Sequence, residues 1–353
     1  MVQALSNLTV GSKIKFGTYK VEQSSIEPII WLIADKNHNG YPANSVTLLT
    51  EKIIDLRGFD AKEPSNSNTD RQTYGNNRYL HSNLRQWLNK SGQSWYVNQH
   101  GADATPNDTG MSESTGYSDI QGFLSNFTED ELNTMLNTTL TVAKNTVTDG
   151  GGSETVVDKI FLASNTEVGL ANENSIVEGS LLPLFSNDAN RIAYLTEQAF
   201  DNTLSNSKPA NVATAWHWWL RSPYSSGSHG VRGVGASGAL AHGNAYHGGN
   251  GVRPLCNLAS DILVSDATDA DGCYTLVFAT PHIITLDKPI TINAGEKLEK
   301  VKFDAKVNNT SLNLKSMDVE KLIYTGEDLD TDTVDLEIEG KNGKIDNIAY
   351  TID

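Results

Sequence analysis

The sequence predicts an α+β chain, with a large loop-rich domain over residues 1–283 and a small all-β domain over 284–353. Three observations carry this expectation. Apolar runs are short, mostly of strand type, and separated by long polar loops. Only a few stretches have the 3.6-residue period or the caps of a helix. The composition also changes sharply: from Ile284 to Asp353 there is no Trp, Cys or His, and 15 acidic residues stand against 9 basic ones, a net −6. The full length of 353 residues holds two such units, and the pattern is neither a βαβ series nor a coiled coil.

Taken in order, Val10–Phe16 and Ile26–Ala34 are rich in Val, Ile and Trp and read as strands. Residues 35–40, DKNHNG, imitate the start of a calcium loop, but the twelfth position is Val46, where a bidentate Glu is required, so a turn is expected. Ser45–Leu56 continues as a strand or a strand passing into a short helix. Leu80, Leu84, Trp87 and Leu88 fall on one helical face. A polar stretch of about thirty residues follows Tyr96, long enough to suggest a functional loop. Thr128 and Glu131 form a capping box, opening a helix with Leu132, Met135 and Leu136 on one side. Leu140–Val147 and Val156–Ala163 are β-type runs on either side of a triple-glycine turn. Ser164–Glu167 reads as a second capped helix start and Ile192–Phe200 as a third short helix. In the C-terminal domain, Val334–Glu339 and Ile345–Ile352 flank Asn342-Gly343, a strong hairpin signal.

The stretch from Trp216 to Leu258 organises the chain. Trp216, Trp218 and Leu220 alternate as in a strand with one buried face, and Trp219 adds a third tryptophan. Arg221 and Arg253 adjoin apolar runs and must find carboxylates or carbonyls for their donors. Between them lies a segment dense in Gly, Ser, Asn and His. Val231, Val234, Leu240 and Tyr246 are spaced through it, which predicts short paired strands and tight turns instead of a flexible linker.

The pairing of WWLRSP with a downstream GVRP around this variable insert resembles a domain family of unassigned function from phages and prophages of Gram-positive bacteria. GYPANSVTLLTEKIIDLRGFDAKEP, YGNNRYLHSNLRQWLN and GFLSNFTEDEL are similar to the family's earlier blocks, so the resemblance spans roughly residues 1 to 280. It implies a C-type-lectin-like fold, related to that of the formylglycine-generating enzyme. It also implies a virion protein assembled in the bacterial cytoplasm, with Cys256 and Cys273 reduced. The family supplies no catalytic or ligand residues to transfer.

Charge narrows the partners. A net −16 argues against nucleic acid and against anionic membrane surfaces. Neither a signal peptide nor a spanning segment is expected, since the longest apolar run is Ile29–Ala34. No nucleophile elbow, phosphate loop or metalloprotease motif is present. His217, His229, His242 and His247 follow at intervals of 12, 13 and 5, which match no metal-binding pattern. Cys256 and Cys273, seventeen apart, carry no oxidase motif. No catalytic residue, metal or cofactor is therefore assigned. The expected activity is recognition: Tyr224, Ser228, His229, Arg232, His242, Asn244, Tyr246, His247 and Asn250 have the composition of a paratope, in which Tyr gives rigid area and Asn, Ser and Gly give adaptable hydrogen bonds. Trp216, Trp218, Trp219, Arg221 and Arg253 are expected as framework. The implied partners are a host-surface glycan or protein, other virion proteins through residues 284–353, and further copies of the chain. The alternatives are a head or tail decoration protein without a receptor and a metal-dependent oxidase.

Overall fold

The computed structural model describes residues 2–19, 26–202 and 206–278 and, as strands alone, eight segments between His282 and Ile352. The chain divides into two compact units, Met1–Val277 and Phe278–Asp353.

The first unit is a mixed, sheet-rich α+β fold. In chain order its strands and helices are β1 (Val2–Ala4), β2 (Lys13–Tyr19), β3 (Glu27–Lys36), β4 (Ser45–Thr50), β5 (Asp55–Leu56), α1 (Thr69–Tyr74), α2 (Asn83–Leu88) and α3 (Glu129–Thr134). Then come β6 (Thr138–Ala143), β7 (Ser153–Asp158), β8 (Ile160–Phe161), α4 (Glu197–Asn202), β9 (Trp218–Pro223), β10 (Gly230–Val234) and β11 (Leu240–Asn244). The unit ends with β12 (Gly251–Val252), β13 (Leu255–Ala259), β14 (Leu263–Ser265) and β15 (Cys273–Val277). An eight-stranded sheet runs β1-β14-β15-β2-β3-β4-β13-β8, so the first and last strands of the unit share one sheet. A five-stranded sheet runs β11-β10-β9-β12-β5, and β6 pairs with β7.

The core follows the strand chemistry. β4 is buried at every position, and Trp31, Ile33, Val46, Leu48 and Leu255 on the central strands are fully enclosed. Each such side chain contributes about 1.5–3 kcal/mol. Phe16, Phe123 and Phe127 cluster beside them, and Trp31 donates its indole N–H to the Phe16 carbonyl at 2.8 Å. Gly17 permits this contact, because its φ is +69° and a Cβ there would lie 2.3 Å from the Phe127 ring.

Several expectations are corrected in detail. The helical face from Leu80 to Leu88 is split: Tyr79–His81 forms a 3-10 turn, and Ser82 caps α2 by accepting from the Arg85 N–H. At Thr128 the capping box forms as expected, but α3 stops at Thr134 and buries no residue, and Met135 packs inward as its cap. Ser164 and Glu167 exchange both bonds of a capping box, at 3.1 and 3.0 Å, yet the segment is only a turn. The Glu167 carboxylate is also held by Arg221 and Tyr41, which fixes it in the interior. The region 192–196 is extended, and α4 begins only at Glu197.

In the second unit the described elements are all strands: β16 (His282–Ile292), β17 (Leu298–Phe303), β18 (Lys306–Val307), β19 (Thr310–Ser311), β20 (Ser316–Asp318), β21 (Lys321–Tyr324), β22 (Val334–Ile338) and β23 (Gly343–Ile352). The anticipated hairpin is not a strand pair. β22 pairs with β17, while β23 pairs with β16 and β21. Its expected turn residue Asn342 lies outside the described residues.

Candidate functional site

β9 is the axis of the five-stranded sheet. It is buried along its whole length, Trp218 to Pro223, because both of its faces are covered. The one-sided strand read from the alternation is therefore corrected: Trp218 and Trp219 point to opposite faces and both are enclosed, whereas Trp216 is half-buried before the strand. Each indole finds a carbonyl. Trp216 donates to Gly249, Trp218 to Arg191 and Trp219 to Arg57, at 2.8, 2.9 and 2.8 Å.

The two arginines brace this axis differently. Arg221 is wholly buried and forks onto Glu167, with N–O distances of 2.6 and 2.7 Å. It also donates to the carbonyls of Leu162 and Glu178 at 2.8 and 3.1 Å. Among the described residues, Arg253 has no carboxylate in bonding contact. It donates to the carbonyls of Thr50, Asn190 and Glu51 at 3.0, 3.1 and 3.2 Å and lies 5.1 Å from the centre of the Trp218 ring. Burial pulls its guanidinium down to about 9, so it stays charged at neutral pH.

Above Trp219 the chain carries glycines. Gly233 on β10 faces the Trp218 carbonyl, where a Cβ would come within 2.7 Å. A Cβ on Gly243 of β11 would lie 2.7 Å from Asn250 Nδ2 and 3.1 Å from the Trp219 ring. Small residues over a large aromatic leave a cleft of about 300 Å³, lined by His217, Trp218, Trp219, Gly233, Gly235, Ala241, His242, Gly243, Asn244, His247 and Asn250. No Asp, Glu, Lys or Arg lines it. Its polar groups are imidazoles, carboxamides and backbone.

This cleft gathers four of the nine expected contact residues: His242, Asn244, His247 and Asn250. Tyr224 and Arg232 stand beside it. The Tyr224 ring stacks on His242 at 4.9 Å with an interplanar angle of 13°, and the Arg232 guanidinium lies 4.6 Å from the same ring. Arg232 is itself ion-paired with Glu173. The other three sit elsewhere. Ser228 is fully buried, and its hydroxyl donates to Asn68 at 2.8 Å. His229 packs against Tyr74 at 4.9 Å and Asp70 at 3.7 Å. Tyr246 meets Tyr74 edge-on, with Lys62 5.2 Å from its ring centre. The expected framework residue Trp216 reaches the cleft rim through its ring contact with His217, 4.3 Å between centroids.

His217, which the sequence offers only as a possible metal ligand, belongs to the lining. The signal was available, since alternation places it opposite Trp216 and Trp218. Burial, reinforced by the charge of His247, lowers its pKa to about 4 from 6.5. A histidine with a folded pKa below its unfolded value favours the folded state when neutral. Its contribution is whole above pH 6.5 and is lost as the pH falls towards 4. Given its partial exposure, about 1–2 kcal/mol should disappear across that window. Urea unfolding at pH 7 and 4.5 should show a smaller acid loss for His217→Asn than for the parent chain. Among the described residues, no group of three or more His, Cys, Asp or Glu is arranged to hold a metal ion.

A family model described as a domain of unknown function, DUF6273, matches residues 44–260. That span contains the cleft and both bracing arginines. No curated protein and no solved structure matches the chain.

Proposed function

The chain belongs to the family of this domain of unknown function, DUF6273, and we propose from that premise that it is a phage virion surface protein that recognises a host-surface glycan through the cleft over Trp219. Its large unit takes a C-type-lectin-like fold, and residues 284–353 attach it to other virion proteins. The observation that carries this reading is the lining. Imidazoles, carboxamides and glycine backbone surround the cleft without a single ionised carboxylate, ammonium or guanidinium. Such groups offer both donors and acceptors at neutral pH, which suits the hydroxyls and amides of an uncharged sugar. At this cleft the protein binds and does not transform its ligand. The eight-stranded sheet, which joins both ends of the unit, supplies the rigid support that a binding surface needs.

The test is binding of labelled protein to Gram-positive cells, competed by purified wall glycans. Binding should saturate, and the pair of substitutions Asn244→Ala and His247→Ala should weaken it at least about tenfold without lowering the unfolding temperature. Unchanged binding by that folded variant would move recognition away from the cleft. Absence of binding by the parent would favour a decoration role.

A further inference from the structure

A different face of the first unit brings together three residues that the sequence keeps far apart. Asp35 lies near the end of β3. The following turn, with left-handed Asn37 (φ 52°) and Asn44 (φ 53°), folds the chain back. His38 thereby places Nδ1 2.6 Å from Asp35 Oδ2 and becomes almost completely buried. Its ring lies 4.6 Å from Tyr41, whose hydroxyl is fixed on Glu167 at 2.6 Å. In the tautomer whose Nδ1–H donates a hydrogen bond to the carboxylate, Nε2 presents a lone pair. Ser180 Oγ stands 3.3 Å from it. The same hydroxyl has a more distant alternative acceptor in the Asn39 carbonyl, at 3.4 Å.

The residues around Ser180 fit a nucleophile. Gly179 has φ +99°, and a Cβ there would lie 2.7 Å from Glu167 Oε1, so only glycine can make the sharp approach that delivers Ser180 to His38. Ser180 is half-exposed. Val177 and Leu181 flank it with 60% and 47% of their surface open, an apolar rest for an acyl chain. Among the described residues, the amide N–H groups of Gly179, Ser180 and Leu181 donate no hydrogen bond, leaving them free for an oxyanion.

We propose that Asp35, His38 and Ser180 form a catalytic site that hydrolyses esters of short carboxylic acids. Ser180 Oγ attacks the ester carbonyl while its proton passes to His38 Nε2. The bond from acyl carbon to alkoxide then breaks, and the alcohol leaves with that proton. Water repeats the sequence: its oxygen attacks the acyl carbon, its proton reaches Ser180 Oγ through His38, and the free acid departs. Asp35 holds the imidazole in the required tautomer.

The experiment uses the full chain and a short-alkyl fluorophosphonate, in which a P–Oγ bond forms and fluoride leaves. Tandem mass spectrometry should place the adduct on Ser180, and Ser180→Ala should remove it. His38→Gln should slow labelling by on the order of 100-fold or more, the weight of a general base. Should that variant fail to fold, hydrolysis of p-nitrophenyl acetate by the parent and by Ser180→Ala decides instead: equal rates overturn the proposal, and a rate lost with Ser180 supports it. No adduct on Ser180 of the folded parent, or an adduct formed equally fast without His38, would mean that the serine–histidine bond merely pins the 176–181 segment to the turn.

Discussion

Replacing Arg221 by methionine should cost the first unit about 3–5 kcal/mol, and more at pH 8 than at pH 5. Arg221 is wholly buried and its fork holds Glu167, with two carbonyls taking further N–H groups. Glu178 is equally buried; it accepts from the Ala143 N–H at 2.9 Å and from the Ser222 hydroxyl. Among the described residues Arg221 is the one cation bonded to the Glu167 carboxylate, and its charge also acts on the nearby Glu178 carboxylate, so its removal leaves both in the interior without compensation. The pH direction follows from Glu178. Burial raises its pKa above the usual 4.5, and Arg221 opposes that rise. Without the arginine the folded pKa climbs further. A carboxyl whose folded pKa exceeds its unfolded value is tolerated when protonated, so the deficit is small below about pH 4.5 and grows as pH rises through the shifted value. Lysine should not rescue, since a point ammonium cannot span four acceptors in one plane. Arg221→Met combined with Glu167→Leu should recover much of the loss, because the pair is then replaced by apolar groups instead of being broken. Urea denaturation of the single and double variants at both pH values gives the answer. A single variant within about 1 kcal/mol of the parent would show that water enters the site.

The two kinds of knowledge in the signature differ in range. That Trp218 and Trp219 would anchor a core, and that Arg221 and Arg253 would need carboxylates or carbonyls, depends on side-chain chemistry alone, and both are seen. Which groups answer them could not be read. Glu167 lies 54 residues from Arg221, and the Thr50 carbonyl lies 203 from Arg253. Local patterns were equally persuasive at Thr128 and Ser164, and both sites form the capping bonds. Only the first continues into a helix, while at the second the capping carboxylate also takes a distant arginine that no local pattern announces. Strand existence around the glycines was legible from Val231, Val234 and Leu240. The division of the nine contact residues was not, since it depends on how β10 folds between β9 and β11. Ser228 sits in the same glycine-rich run as His242, yet it is drawn under Asn68 from another loop. Ser180 and His38 meet across 142 residues, a proximity that no spacing rule reaches.

Trp219→Ala should be the most damaging change at the cleft, with a stability loss of about 3–5 kcal/mol and loss of ligand together. The ring is 1% exposed, meets Phe59 edge-on at 6.0 Å, and gives its N–H to the Arg57 carbonyl. Truncation leaves a void and orphans that carbonyl. Because unfolding alone could explain the lost binding, Trp219→Phe separates the two effects. Phenylalanine keeps an aromatic core but lacks the outer indole ring beneath Gly243 and the N–H donor. It should cost about half as much, leave the protein folded at 25 °C, and still weaken binding. The complementary change is Gly243→Ala. Its added methyl would press on Asn250 Nδ2, the far end of a side chain that can turn, so stability should move by less than about 1 kcal/mol. The same methyl projects over Trp219 and displaces a lining carboxamide, so affinity should fall. A cleft made by a glycine on β11 above the Trp219 ring of β9 can be reshaped from either strand, narrowed at Gly243 or widened at Trp219. If Trp219→Phe and Gly243→Ala both bind as the parent does, the cleft is packing between strands and the ligand is held elsewhere.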